Sequence, residues 1–343
     1  MNLTWRALTL SDAAQGARLL AASEVVDQTG ENYSEEDFAE LLTHPMVDLE
    51  NGTMAAFDGE TLIGHCFVYA RTTAEPVHQM QCGGTVDPAY RRRGLGGKLL
   101  AWALEAAVPI HEKHFPGQPL ELLVGADNKN VGNAAMLTNA GFTPVRWFFE
   151  MRCGLTAEGG APVDDTGAVI PAPEAPALAE GLTMTTFRED LDEPLRLTHN
   201  EAFLDHWGSA PQSLEMWQHA VTGSRSFHPE LTYLALDDAT GRVAGYVVGE
   251  YFEADTETTG IRELYLAIIG TLRPWRRRGV AATLIAECLA EAKRLGYQRA
   301  SLGVDADNPT GALGVYHRAG FKEYQQSTAY ALPLATKSES VSE

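Results

Sequence analysis

The hydrophobic and polar positions of this 343-residue chain follow one order of elements twice. Each copy starts with a short strand and a helical region, which an apolar hairpin pattern follows, with turns at Asp58-Gly59 and around Asp238–Gly241. Each hairpin is followed by a strand, an amphipathic helix, a further strand and a second helix. This order predicts two units of mixed α/β structure, because one supersecondary pattern recurs at similar spacing.

The helices of both copies have recognisable ends. The first helix of copy two is predicted to start after Gly279 and to stop at Gly296. The second helix of copy one is predicted over 130–140. In copy two, Asn308 is predicted to cap the corresponding helix, with Pro309 at its first position and Gly320 just past its end.

We therefore expect an α/β fold of the α+β type, with a mixed, mostly antiparallel sheet flanked by helices in each unit. The first domain is predicted over 1–155 and ends on the strand 142–153. The segment 156–180, rich in Pro, Gly and Ala, is predicted to be a surface linker. The second domain is predicted over 181–335, and the polar tail 336–343 is predicted to be disordered.

Composition excludes several classes of function. The formal net charge of -20 disfavours binding to a nucleic-acid backbone. Neither an 18-residue apolar run nor a secretory leader pattern is visible, so we expect no membrane association and a cytoplasmic location. The four cysteines have no CxxC spacing and no nearby His pair, so neither a metal site nor a disulfide framework is expected.

The sequence Arg-Arg-Arg-Gly occurs at Arg91–Gly94 and at Arg276–Gly279, and we call these two stretches the arginine turns. Each lies between a predicted strand and a predicted helix, where unpaired N–H groups and the helix dipole favour an anion. Gly96 and Ala281 keep side chains small near that position. The spacing fits neither the P-loop nor the dinucleotide fingerprint. We therefore expect two phosphate-binding turns.

The pattern [Q/R]-x-x-G-x-[G/A] at these turns resembles the coenzyme A pyrophosphate signature of the GNAT N-acetyltransferases. The stretch 305–321 resembles the downstream motif of that family, and the duplication is similar to tandem acetyltransferases of the mycothiol synthase type. The resemblance implies acetyl-CoA as the cofactor, bound where two parallel strands splay apart. The positions it implies for coenzyme A are Thr85, Val86, Arg91, Arg92, Arg93, Gly94, Leu95, Gly96, Gly97, Ile269, Gly270, Thr271, Arg276, Arg277, Arg278, Gly279, Val280, Ala281, Ala282 and Asn308.

The two copies differ at the position where the family carries its general acid. Tyr316 lies four residues before Gly320, and the resemblance implies that it protonates the departing sulfur. A phenol, with an ordinary pKa of about 10, remains protonated at neutral pH. Copy one has Leu137 at the corresponding place before Gly141. We therefore expect the second unit to be catalytic and the first to be degenerate.

A carboxylate beside the cofactor strand could bind the ammonium group of an acceptor and take its proton. Glu250 and Glu263, at strand ends, are the candidates for this base. Asp255 and Glu257 are expected in a solvated acidic loop. The stretch carrying His206 and Trp207 lies in the early helical region that commonly covers the acceptor pocket in the family, although the sequence favours a surface or core role for these two residues.

These observations predict an acetyl-CoA-dependent N-acetyltransferase acting on a primary amine of a small molecule, as a monomer or homodimer. Two alternatives stay open: a mycothiol synthase-type enzyme acting on a cysteinyl amino sugar, and a non-catalytic acyl-CoA-binding regulatory protein. Tyr316 favours an enzyme. The identity of the amine is not determined by the sequence.

Overall fold

The computed structural model describes residues 3–74, 76–163, 168–169, 176–308 and 311–335. The chain divides into two compact units. Unit 1 consists of residues 1–147 together with 327–343, and unit 2 consists of residues 148–326. The predicted disordered tail 336–343 lies outside the described residues.

The described residues of unit 1 form a sheet and four α-helices. Its strands follow the order β1-β2-β3-β4-β5-β12. The strands are β1 Thr4–Arg6, β2 Thr53–Asp58, β3 Thr61–Tyr69, β4 His78–Val86, β5 Leu120–Asp127 and, at the far end of the chain, β12 Lys322–Leu334. The helices are α1 Ala13–Asp27, α2 Glu35–Leu42, α3 Leu95–His114 and α4 Val131–Asn139.

The pairing in this sheet is antiparallel except between β4 and β5, which are parallel. One face packs against α3, whose Leu99 and Ala103 contact the buried side chains of β4 and β5. The other face packs against α1 and α2, with Phe38 fully buried. The helices thus cover both faces of the sheet.

Unit 2 repeats this plan. Its strands follow the order β6-β11-β10-β9-β8-β7, and the parallel pair is β10–β11. The strands are β6 Thr143–Gly154, β7 Leu182–Thr186, β8 Tyr233–Asp237, β9 Val243–Glu250, β10 Glu263–Thr271 and β11 Arg299–Asp305. The helices are α5 Asp192–Ala202, α6 Leu214–Trp217, α7 Glu253–Thr259, α8 Val280–Arg294 and α9 Ala312–Arg318.

The last strand of each unit comes from the other half of the chain. Residues 148–154 of β6 pair antiparallel with β11 in unit 2, and residues 327–334 of β12 pair antiparallel with β5 in unit 1. The compact units therefore differ from the predicted domains 1–155 and 181–335. The alternating pattern of β6 does not specify which strand it pairs with, because that depends on tertiary packing.

Three local predictions also differ from the structure. Helix α9 begins at Ala312 after Gly311, which has a positive φ of 74°, so the prediction that Asn308 caps this helix is wrong; Pro309 lies outside the described residues. The predicted acidic loop contains the helix α7. Part of the predicted linker packs on unit 2, since Leu178 and Ala179 contact its buried core.

Among the described residues, no helix is both long and apolar enough to cross a membrane.

Candidate active site

The two arginine turns have the same backbone conformation. Arg92 and Arg277 have φ of 61° and 60°, and Gly94 and Gly279 have φ of 84° and 82°. Helices α3 and α8 begin immediately after these glycines. Their first intrahelical bonds start at Lys98 and at Thr283, so the amides of 95–97 and 280–282 point out of the helix N-termini. Such alternating conformations direct several N–H groups toward one anion.

The first arginine of each turn binds the protein itself. Arg91 donates from Nε to the carbonyl oxygen of Val86 at 2.9 Å and from both terminal nitrogens to Asp27 at 2.6 Å. Arg276 donates from Nε to the carbonyl oxygen of Thr271 at 3.0 Å and from Nη2 to that of Ala202 at 2.9 Å. These two side chains therefore fix the turns in place.

The second and third arginines of each turn are exposed. Arg93 lies over the ring of Tyr90 at 5.4 Å, and Arg278 lies over that of Trp275 at 4.9 Å. Cation–π contacts of this kind orient a guanidinium without neutralising its charge. The turns thus present oriented positive charge beside the helix N-termini.

In both units the parallel strands separate before the arginine turn. Pairing of β10 with β11 ends at Tyr265 opposite Ser301, although β10 continues to Thr271. Pairing of β4 with β5 ends at Cys82 opposite Val124. The splay that the family resemblance implied is therefore present in the structure. We call the opening between the separated parallel strands of each unit its wedge. Backbone groups at the predicted positions Ile269 and Gly270 lie along its open edge.

The wedge of unit 2 opens earlier than that of unit 1. Val124 of β5 and Val304 of β11 occupy equivalent positions in the two units. Val124 precedes the sequence Gly-Ala-Asp-Asn, Val304 precedes Asp-Ala-Asp-Asn, and both side chains face the core. Unit 1 remains paired up to Val124, whereas pairing in unit 2 stops three residues before Val304, at Ser301. A β-bulge between Leu266 and Ile268 adds a residue to β10. Bulges bend a strand locally, which accounts for the deeper opening.

Tyr316 lies on the side of the sheet covered by α8. Its ring belongs to the core that includes Val280 and Val304, and its side chain is 8% exposed. Burial raises the pKa of Tyr316 to about 12, so its hydroxyl holds a proton at neutral pH. That hydroxyl makes no hydrogen bond to the described part of the chain. Leu137, at the corresponding position of unit 1, is fully buried and has no proton to donate.

The opposite side of this sheet in unit 2, which we call the acceptor face, carries polar side chains beside the wedge. Glu250 lies directly across from Tyr265 on neighbouring strands, so both side chains share this face. Glu250 is 9% exposed. Tyr265 in turn neighbours Ser301, which neighbours Arg152 on β6. The predicted candidate Glu250 therefore lies next to the apex of the wedge, which is the point at Tyr265 and Ser301 where β10 and β11 stop pairing.

Glu263 lies on the same face, two residues before the apex. Its carboxylate accepts hydrogen bonds from Arg299, at 2.8 Å from Nε, and from Arg152, at 3.3 Å from Nε. The guanidinium of Arg152 also stacks on Tyr324 at 3.6 Å. Two arginine side chains therefore occupy the oxygens of this carboxylate. Glu263 thus holds the side chains of Arg152 and Arg299 in place on the acceptor face.

His206 and Trp207 lie in the turn that follows α5, on the acceptor-face side. Burial and, secondarily, Arg276 lower the pKa of His206, while Asp305 and Asp205 oppose that shift. The ring of Trp207 lies 6.2 Å from that of Phe148 on β6. These contacts place His206 and Trp207 near the mouth of the wedge.

Pro176 contacts the second arginine turn. Its carbonyl oxygen accepts a hydrogen bond from the Thr283 hydroxyl at 2.8 Å, and its ring carbon Cγ lies 3.2 Å from where a Cβ of Gly279 would be. Gly94 of unit 1 has open space at that position. The residues before β7 therefore form one side of the α8 N-terminus.

Sequence reasoning did not find Glu150, Arg152 or Tyr265. The first two lie on β6, which the sequence assigns to the first unit, and Tyr265 lies in an apolar strand pattern. The charged positions Glu150 and Arg152, at alternate places in an otherwise apolar strand, were the available signal.

The duplicated fold, with a wedge and an arginine turn in each unit, is that of a tandem acetyltransferase. The family model of the acetyltransferase (GNAT) family matches residues 19–114 and 189–321, and the chain belongs to this family. Members of the family use acyl-CoA, and the protein is an acyltransferase enzyme.

Similar proteins that are named acetyltransferases agree with this family assignment. The chain is similar to a mycothiol acetyltransferase of Brachybacterium faecium, 30% identical over 269 residues that cover 77% of this chain and 69% of that protein. A mycothiol acetyltransferase of Thermobifida fusca is 28% identical, covering 71% of this chain and 72% of that protein. A GCN5-related N-acetyltransferase from Sphaerobacter thermophilus is 25% identical, with a TM-score of 0.71, covering 96% of this chain and 95% of that chain. A tandem GNAT protein from the clavulanic acid pathway, 17% identical with a TM-score of 0.67, covers 98% of this chain and all of that chain and shares the fold.

Proposed function

We propose that this protein transfers an acetyl group from acetyl-CoA to a primary amine of a small molecule, and that the reaction takes place in unit 2. The observation that carries this proposal is the open wedge of unit 2, with Tyr316 on one side of the sheet and Glu250 on the other. A donor and an acceptor of protons on opposite sides of one opening suit a transfer between two substrates.

The residues present fit acetyl-CoA, which when bound supplies the activated thioester. The outward amides of 280–282 and the exposed Arg277 and Arg278 would hold its pyrophosphate. Ile269 and Gly270 would lie along its pantetheine arm. The carbonyl oxygens of Thr271 and Val86 already accept from arginines, so we propose a role in the turn for them rather than in binding the arm.

Glu250 is proposed as the general base and Tyr316 as the general acid of the transfer. Glu250 takes a proton from the acceptor's ammonium group at its carboxylate, which leaves a neutral amine able to attack a carbonyl carbon. Tyr316 holds a proton at its hydroxyl oxygen and gives it to the leaving sulfur. We assign Glu263 a positioning role instead of the base role, because Arg152 and Arg299 occupy its carboxylate.

Unit 1 is proposed to bind coenzyme A without catalysing transfer. Its turn has the same backbone conformation as that of unit 2, but its wedge stays paired up to Val124 and Leu137 replaces the tyrosine. The acceptor is proposed to be a small molecule rather than a nucleic acid, in keeping with the net charge of -20.

The test is release of the coenzyme A thiol from acetyl-CoA over a panel of amines: a cysteinyl amino sugar, glucosamine, an aminoglycoside, spermidine and L-cysteine. The cysteinyl amino sugar comes first, because two relatives are mycothiol acetyltransferases. We expect amine-dependent release with at least one acceptor. Binding of acetyl-CoA without release for any amine would instead favour the non-catalytic acyl-CoA-binding alternative.

A further inference from the structure

Glu150 and Tyr265 converge above an exposed glycine on the acceptor face. The position that a Cβ of Gly303 would take lies 3.1 Å from Oε1 of Glu150 and 3.1 Å from the hydroxyl oxygen of Tyr265. Gly303 belongs to β11, which lies between β6 and β10 in unit 2. Because Gly303 has no side chain, the exposed space directly above it holds these two polar groups.

This space adjoins the place where the parallel strands separate. Gly303 lies two residues beyond Ser301, the last residue of β11 paired with β10. Glu150 is its direct partner on β6. Because successive residues of a strand are about 3.3 Å apart, the carboxylate and the hydroxyl lie within one small molecule's length of the wedge apex.

Arg152, two residues along β6 on the same face, is directed elsewhere. The acceptor face therefore has the carboxylate of Glu150 and the hydroxyl of Tyr265 beside the wedge. Arg152, two positions along the same strand, contacts Glu263 and Tyr324 instead.

The same place in unit 1 has no such chemistry. With Val124 and Val304 as counterparts, Leu123 takes the position of Gly303 and Ala331 that of Glu150. Both are buried apolar residues, 5% and 2% exposed. The pair of polar groups above the sheet is thus a property of the unit with the open wedge and Tyr316.

We propose that Glu150 and Tyr265 form the subsite that binds the acceptor's cationic group above Gly303, and that Glu150 determines specificity for cationic amines. The carboxylate of Glu150 pairs with the ammonium group when the acceptor binds, and Glu250 then takes the proton of that group. The Tyr265 hydroxyl hydrogen-bonds a neighbouring polar atom of the same molecule. This inference rests on the proposed function and identifies its acceptor class as small cationic amines.

The test compares Glu150→Gln with wild type, using the panel amine that wild type acetylates with the highest kcat/KM. Loss of a charged hydrogen bond predicts a rise of about ten- to a hundredfold in KM for the amine. The KM for acetyl-CoA is expected to stay within twofold. Glu257→Gln, an exposed carboxylate of the same unit, is the matched control and should leave both KM values unchanged.

Gly303→Ala is a second, steric variant. Gly303 has no positive φ, so alanine suits its backbone, while the new methyl group would come within 3.1 Å of both oxygens. We expect the amine KM to rise at least fivefold while the melting temperature remains near that of wild type.

The outcomes separate the two proposals. If wild type acetylates an amine and Glu150→Gln keeps its KM within twofold, the subsite is overturned and the proposed function stands. If wild type acetylates none of the panel, the proposed function fails and the subsite fails with it.

Discussion

The Nε atom of Arg276 lies 3.0 Å from the carbonyl oxygen of Thr271, five residues earlier in the chain. Arg91 and Val86 repeat this contact in unit 1 at 2.9 Å. The first arginine of each turn thus closes the turn on the end of the preceding strand. We propose that the backbone amides and the two exposed arginines that follow bind the phosphate groups.

Replacing Arg276 should weaken cofactor binding by loosening the turn. We expect Arg276→Ala to raise the KM for acetyl-CoA about tenfold, since a charged hydrogen bond contributes about 1.5–3 kcal/mol. Arg276→Lys should recover little, because lysine lacks the planar fork that reaches Thr271 and Ala202 together. Steady-state kinetics with acetyl-CoA varied gives the measurement. Arg91→Ala is the matched control, and an equal effect on turnover would contradict catalysis in unit 2.

Removal of the Tyr316 hydroxyl should affect the chemical step. We expect Tyr316→Phe to lower kcat by about a hundredfold or more, with little change in acetyl-CoA binding by calorimetry. The pKa of Tyr316, raised by burial to about 12, lies above its usual value, so the acid form persists as pH rises to about 10. The wild-type kcat should therefore show no alkaline decline up to that pH.

Leu137→Phe, at the corresponding place in unit 1, is the control for this variant and should leave kcat unchanged. A kcat of Tyr316→Phe equal to that of wild type would remove Tyr316 from the mechanism.

The two turn glycines allow a direct comparison of the units. Gly279→Ala and Gly94→Ala each place a side chain at a φ above 80°, which costs about 1–2 kcal/mol of stability. Both variants should unfold at lower denaturant concentration than wild type. Only Gly279→Ala should reduce kcat/KM for acetyl-CoA. Equal kinetic losses in the two variants would show that both turns serve the reaction.

Acid should destabilise unit 1 through His65. This histidine is 4% exposed, and neither of its ring nitrogens has a hydrogen-bond partner among the described residues. Burial lowers its pKa to about 4, below the ordinary value of 6.5. The folded state therefore binds fewer protons than the unfolded state, and stability falls as pH decreases from about 6.5 to about 4.

His65→Phe removes this effect. Phenylalanine suits the site, since the rings of Phe38 and Phe67 lie 5.4 and 5.1 Å away. At about 1.4 kcal/mol for each pKa unit, we expect the variant to gain about 3 kcal/mol over wild type at pH 4, relative to the difference at pH 7. Urea unfolding at several pH values measures this gain. An unchanged pH dependence would mean that His65 is not the group that titrates.

Parts of the candidate site follow from short-range sequence signals. The turns, their glycines and the start of α8 all depend on residues within about ten positions, where sterics and helix capping act locally. The start of α9 was predicted wrongly, because Gly311 with its positive φ ends the preceding loop three residues after Asn308. An asparagine can also form a turn, and local pattern does not separate these two uses.

The sequence alone determined the duplication, the α/β class, the two arginine turns and the difference between Tyr316 and Leu137, since periodicity and spacing within each copy show these features. Tertiary structure decided which strand completes each sheet, where each wedge opens, and that Glu150 of β6 lies beside Tyr265 of β10. The partners of β6 and β12 lie more than a hundred positions away in the chain, and strand pairing depends on packing and register across the whole sheet.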